Sequence, residues 1–136
     1  HSVMELSINL EGGKKVSTTI GNHRIMTDQS VKDGGEDSAP APYDLFMASI
    51  GTCAGFYVQA YCQSKGIDPS GITITLQPKR DTANKKTVGF ITTIRLPKAL
   101  PEKLYPALKK VAEQCAVKKT IMSNPEFIVE TVPADD

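Results

Sequence analysis

Residues 42–62 read PYDLFMASIGTCAGFYVQAYC, with Asp44 the only charge in a chain that is 23% charged. Pro42 suits the first position of a helix, and Asp44 then falls in the first turn, where a carboxylate is favourable. The helix is expected to run to about Lys65, with Gly66 as its stop. Residues 45–61 lack charge, close to the shortest length that spans a membrane. Ser49, Gly51, Thr52, Gly55 and Gln59 interrupt the run and no basic flank precedes it, so a buried core helix is expected, not a span. The helix is apolar nearly all the way round. A lone chain of 136 residues rarely surrounds such a helix, so part of its surface is expected to meet a second subunit.

Outward from this helix the pattern changes to period two. Met4, Leu6, Ile8 and Leu10 alternate with polar residues, the mark of a half-buried strand. Gly12-Gly13 reads as a two-residue turn into a return strand with Val16, Thr18 and Ile20, and Gly21-Asn22 turns again into HRIMTD. Residues 28–41, DQSVKDGGEDSAPA, form a long loop of the kind that is usually functional or part of an interface. After the helix, Ile72, Ile74 and Leu76 predict one strand, and Val88 to Leu96 another, joined through DTANKK. Leu104, Leu108, Val111 and Cys115 then share one helical face, with Pro106 marking a possible late start. VKKTIMS is expected to add a helical turn and FIVETV a final strand. The order βββ-α-ββ-α-β indicates an α+β fold, antiparallel strands on a central helix, in a single domain over residues 4–132. Residues 1–3, ahead of Met4, read as cloning residue, and residues 133–136 as a flexible tail.

Composition bounds the function. A net charge of +1 argues against nucleic acid as the main partner. The absence of a secretory signal and an odd count of three cysteines fit a reducing cytoplasm better than a disulfide framework. With no CxxC and only His23 besides His1, neither a zinc site nor a hydrolase triad is expected, and no cofactor is implied. No phosphate-binding glycine pattern is present.

The cysteines remain. Cys53 and Cys62 lie nine positions apart and point to opposite helix faces, so they cannot bridge within the helix. Cys62 reads as packing. Cys53 would read the same way but for Gly51 and Gly55, which let a ligand or backbone come close. Cys115 precedes AVKKTI and is placed to begin a helical turn, a position that stabilises a thiolate. The two are either an attacking and resolving pair or two packing residues.

GGEDSAPAPYDLFMASIGTCAG, followed about sixty residues later by CAVKKTI, resembles the OsmC/Ohr family, in its broader OsmC-like branch. The resemblance covers nearly the whole chain. It implies an intertwined α+β homodimer with reactive sites at the subunit interface, and reduction of organic hydroperoxides by thiols. On that resemblance Cys53 matches the peroxide-attacking cysteine and Cys115 the resolving one, with an external dithiol as reductant. Phe46, Ile50, Phe56 and Tyr57 would wall a pocket for a small apolar hydroperoxide. The family pairs an arginine after its glycine turn with a glutamate after the helix-initiating proline. Here those positions hold Lys14 and Tyr43, with Asp44 one step on, and Lys15 and Arg24 are other cations nearby in sequence. Lysine lacks the planar fork of arginine, so Lys14 supports a thiolate without orienting a peroxide as well, or is simply solvated. Two other functions stay open: a redox sensor or thiol-disulfide exchange protein with little turnover, and a non-catalytic binder of apolar ligands.

Overall fold

The computed structural model describes residues 4–135, so residues 1–3 and 136, in the expected cloning residue and tail, lie outside the described residues. It is a mixed α+β fold with antiparallel strands and three α-helices, in two compact units, one ending at Ala48 and the other beginning at Ser49.

The first unit holds a three-stranded antiparallel sheet in the order β1 (Ile8–Gly12), β2 (Lys15–Ile20), β3 (His23–Thr27). The expected turns are present, the first shifted by one residue to Gly13-Lys14 with a bulge between Leu10 and Gly12. Gly12 (φ 95°) and Gly13 (φ 58°) both lie in left-handed backbone, where glycine carries no Cβ penalty. The first strand differs from expectation. It begins at Ile8, not Met4, and Ile8 and Leu10 are exposed, because nothing within this unit covers that face of an edge strand.

The loop after β3 is tightly organised by a residue that its composition does not single out. Asp28 is 1% exposed, and its carboxylate accepts hydrogen bonds from the backbone N–H of Gln29 (2.8 Å), Glu36 (3.3 Å) and Ser38 (3.1 Å) and from the Ser38 hydroxyl (2.6 Å). The Ser38 hydroxyl and these amides hold its pKa down at about 2 despite burial. A Cβ at Gly35 would lie 2.2 Å from the Gln29 carbonyl oxygen, so the second glycine of the Gly-Gly pair is there for close backbone approach.

Helix α1 runs Pro42–Ser64, as expected. Gly66 (φ 67°) follows it, and the Ile67 N–H returns to the Cys62 carbonyl at 2.8 Å, closing the helix end. By length and composition α1 could cross a membrane, yet it buries one stripe, Ile50, Ala54, Val58 and Cys62, at the four-residue spacing of one face. The helix is therefore partly covered here, not enclosed, and Phe56 stands 62% exposed.

In the second unit, β4 (Thr73–Arg80) and β5 (Thr87–Arg95) form a two-stranded antiparallel sheet. Ala54, Val58 and Cys62 pack with Leu108 and Ala112 of α2 (Leu104–Ala112), and Ile72, Ile74, Ile94 and Leu96 close around them. Gly51 and Gly55 face this sheet. A methyl group at either would meet Leu76 or Ile74 at 3.9 Å, ordinary contact, so the approach of β4 is not what requires glycine there.

Three expectations for the C-terminal part are corrected. Pro106 does not delay α2, because it sits in the first turn, where backbone N–H groups have no intrahelical partner to lose. The helix stops at Ala112, so Cys115 does not continue its face but caps a separate helix, α3 (Ala116–Met122), longer than the single turn expected. FIVETV forms no strand: no described strand in the chain pairs with it, and Phe127, Ile128, Val129 and Val132 stand 72–92% exposed.

Candidate active site

Cys53 lies midway along α1, and Cys115 is the N-cap of α3. The Cys115 backbone leaves helical geometry at ψ 118°, and its sulfur accepts from the Lys118 N–H at 3.4 Å, which a serine at an N-cap would do with its oxygen. This cap sets the first amides of α3 near Cys53. The Val117 N–H, the Cys115 thiol and the Ala116 N–H lie close enough to the Cys53 sulfur to favour its thiolate. All three cysteines are free thiols.

The two sulfurs are driven apart in acidity. Partial burial of Cys53 opposes ionisation, but the Val117 amide, the Cys115 thiol and the Ala116 amide outweigh it and hold the pKa below that of an ordinary thiol. Cys115, 1% exposed, goes the other way. Burial raises it first, and donating to Cys53 and facing its negative charge raise it further, against the Lys118 and Val117 amides. The pair therefore loses its first proton as a unit, with the charge on Cys53 and the remaining proton on Cys115. Cys62 is fully buried in the core stripe, and burial alone raises its pKa.

The other residues singled out in the sequence fall in varied places. Ile50 and Phe56 precede and follow Cys53 by three residues and Tyr57 follows by four, all about one turn away. Ile50 belongs to the buried stripe, whereas Phe56 lines an open groove of about 490 Å³ with Gly55, Gln59, Ile72 and Ile74. Phe56 and Tyr57 meet edge to face at 5.2 Å, and Tyr43 and Phe46 meet at 5.5 Å. Asp44 accepts from the Ala41 N–H at 3.0 Å, a helix-start bond that occupies its carboxylate. Lys14 is exposed beside the β1–β2 turn, while Lys15 pairs with Glu36 at 3.2 Å and Arg24 with Glu11 at 3.0 Å. Among the described residues no group of three His, Cys, Asp or Glu side chains could hold a metal ion. Sequence reasoning missed the amide pair of Ala116 and Val117. Only the break after Ala112 reveals it, and neither glycine nor proline announces that break.

A family profile described as OsmC-like protein matches residues 35–130, which include both Cys53 and Cys115. No match was found among curated proteins. Among solved structures, the chain is similar to a candidate osmotic stress induced and detoxification response protein from Psychrobacter arcticus. That match has a TM-score of 0.72 at 20% identity, over 88% of this chain and 89% of that one. It is also similar to an organic hydroperoxide resistance protein OsmC from Legionella pneumophila (TM-score 0.56, 22% identity, 91% and 93% covered). An OsmC like protein from Mycoplasma pneumoniae gives a TM-score of 0.69 at 11% identity, with 89% and 88% covered. At such identities these structures establish a shared fold, and together with the profile, which spans most of the residues, they show that this chain belongs to the OsmC-like protein family.

Proposed function

We propose that this protein reduces organic hydroperoxides, with Cys53 as the attacking thiol and Cys115 as the resolving thiol. The observation that carries this reading is that Cys53 and Cys115, sixty-two residues apart in sequence, lie near enough to shift each other's pKa, Cys53 downward with the help of the Val117 and Ala116 amides and Cys115 upward. Those amides supply stabilisation that the family pattern draws from an arginine, for which this sequence has Lys14. The Legionella relative is named for organic hydroperoxide resistance.

The Cys53 thiolate attacks the distal peroxide oxygen, the O–O bond breaks, and the alkoxide takes a proton to leave as an alcohol. Cys53 is now a sulfenic acid. The Cys115 sulfur attacks it, the S–O bond breaks, and hydroxide leaves with the Cys115 proton as water. The disulfide that results is reduced by exchange with an external dithiol. A reducing cytoplasm is the compartment where such a cycle is sustained.

A second copy of the chain completes the fold on this reading. Support comes from the exposed apolar row Phe127, Ile128, Val129 and Val132, the uncovered Ile8 and Leu10, and a two-stranded sheet with both edges open.

The test is steady-state consumption of cumene hydroperoxide with dithiothreitol as reductant. Cys53→Ser is expected to abolish turnover, and Cys115→Ser, oxidised by one equivalent with dithiothreitol withheld, to hold a dimedone-trappable Cys53 sulfenic acid where the wild type forms a disulfide. Wild-type turnover in the Cys53→Ser variant would overturn the assignment.

A further inference from the structure

A cavity of about 210 Å³ opens onto Cys115, and its wall includes Cys115 but not Cys53. Phe90 and Ile94 of β5 line it together with Lys109 of α2, Glu113 just past the end of α2, and Lys118 of α3. The charged groups in its wall are Lys109 and Lys118 against Glu113. Neither Lys109 nor Lys118 is in an ion pair among the described residues, whose two salt bridges involve Lys15 and Arg24.

From this geometry we infer that the reductant is a negatively charged dithiol, that it enters the cavity between β5 and α2, and that it attacks the Cys115 sulfur of the oxidised pair. The inference rests on the two-cysteine cycle proposed above and adds which sulfur is attacked and by what class of thiol. Exchange requires the incoming thiolate to approach one sulfur from the side away from the other. The cavity is lined by Cys115 and not by Cys53, and Lys109 and Lys118 outnumber Glu113 in its wall, which draws an anionic thiol toward it. One thiolate of the reductant bonds to Cys115, the Cys53–Cys115 bond breaks, and its electron pair leaves on Cys53. The Ala116 and Val117 amides receive that charge, and an acidic thiol is the better leaving group. The second reductant thiol, as thiolate, then attacks its partner sulfur and forms the reductant's own disulfide. Cys115 departs as a thiolate and takes up a proton.

The experiment starts from protein oxidised by one equivalent of cumene hydroperoxide, with the Cys53–Cys115 bond verified by peptide mapping. Failure to form that bond contradicts the two-cysteine cycle itself, and so is distinguishable from a wrong choice of reductant or of attacked sulfur. The oxidised chain is treated briefly with 2-mercaptoethanesulfonate, 2-mercaptoethanol or cysteamine, quenched in acid and mapped. The early adduct is expected on Cys115 with Cys53 free. Corrected for thiolate content, the sulfonate should react about fivefold faster than the ammonium thiol, the size expected for one or two solvent-screened charges. Replacing Lys109 and Lys118 with glutamate should reverse that order. Early adducts on Cys53, or the same order of thiols in wild type and the double variant, would overturn the inference.

Discussion

Cys115 caps α3 and lies beside Cys53, where burial opposes ionisation but the Val117 amide, the Cys115 thiol and the Ala116 amide together lower the Cys53 pKa. One local feature, an N-cap cysteine, thus builds both halves of a dithiol. It sets a proton-bearing partner near Cys53 and makes the Cys53 sulfur the easier one to ionise. On the proposed cycle this sets the order of events, because the sulfur that ionises first is the one that would attack.

That arrangement predicts a pH signature. Because the Cys53 pKa is lowered and the Cys115 pKa raised, iodoacetamide should label Cys53 at a pH where Cys115 and Cys62 stay unmodified. Cys115→Ala removes one donor and should move the Cys53 labelling midpoint upward. Cys115→Ser keeps an O–H donor and should move it less. Peptide-resolved labelling from about pH 5 to about pH 10 measures this directly, and faster labelling of Cys115 than Cys53 would contradict it.

Asp28 predicts a different pH dependence. Its folded pKa, about 2, lies below the ordinary carboxylate value of 3.8, so the folded state favours the ionised form. The stabilisation it provides is fully present above the ordinary value and fades as pH falls toward 2. Asp28→Asn should lower the thermal midpoint at neutral pH and flatten its decline as pH falls from about 5 to about 2. An unchanged slope would show that the buried carboxylate is not what the loop depends on.

Gly35→Ala should destabilise the protein by about 2 kcal/mol or more, since a methyl group would collide with fixed backbone at Gln29 and not with a side chain able to move. Gly51→Ala, where the nearest side-chain atom stands at 3.9 Å, should cost far less or even stabilise α1. Urea unfolding of the two variants separates them, and equal effects would contradict the geometry.

The exposed C-terminal row carries the prediction about assembly. Phe127→Asp with Val129→Asp should shift the protein from dimer to monomer in analytical ultracentrifugation while helix content is retained. A wild-type chain that sediments as a monomer at micromolar concentration would remove the basis for this prediction.

Much of this was legible in the sequence for reasons that are local. α1 has its proline start, acidic first turn and glycine stop, and the three β-hairpins have their turn residues. What escaped depends on distant parts of the chain. The apolar spacing of Leu104, Leu108, Val111 and Cys115 matches one continuous helix, and only tertiary structure ends it at Ala112. FIVETV has strand composition, yet a strand needs a partner to take its backbone hydrogen bonds, and the described strands of this chain offer none. Asp28 sits among Gly, Ser and Asp, where a carboxylate reads as solvated until its four donors are seen. Ile50 reads as pocket wall or core from sequence alone, and the four-residue stripe of α1 places it in the core.

The most direct measurement is the fate of the three thiols after one equivalent of organic hydroperoxide, tracked by peptide mass spectrometry. The account predicts a single Cys53–Cys115 disulfide, one alcohol released per disulfide, and Cys62 still reduced. Stepwise oxidation of Cys53 to sulfinic and sulfonic acids with Cys115 left as a free thiol would contradict it.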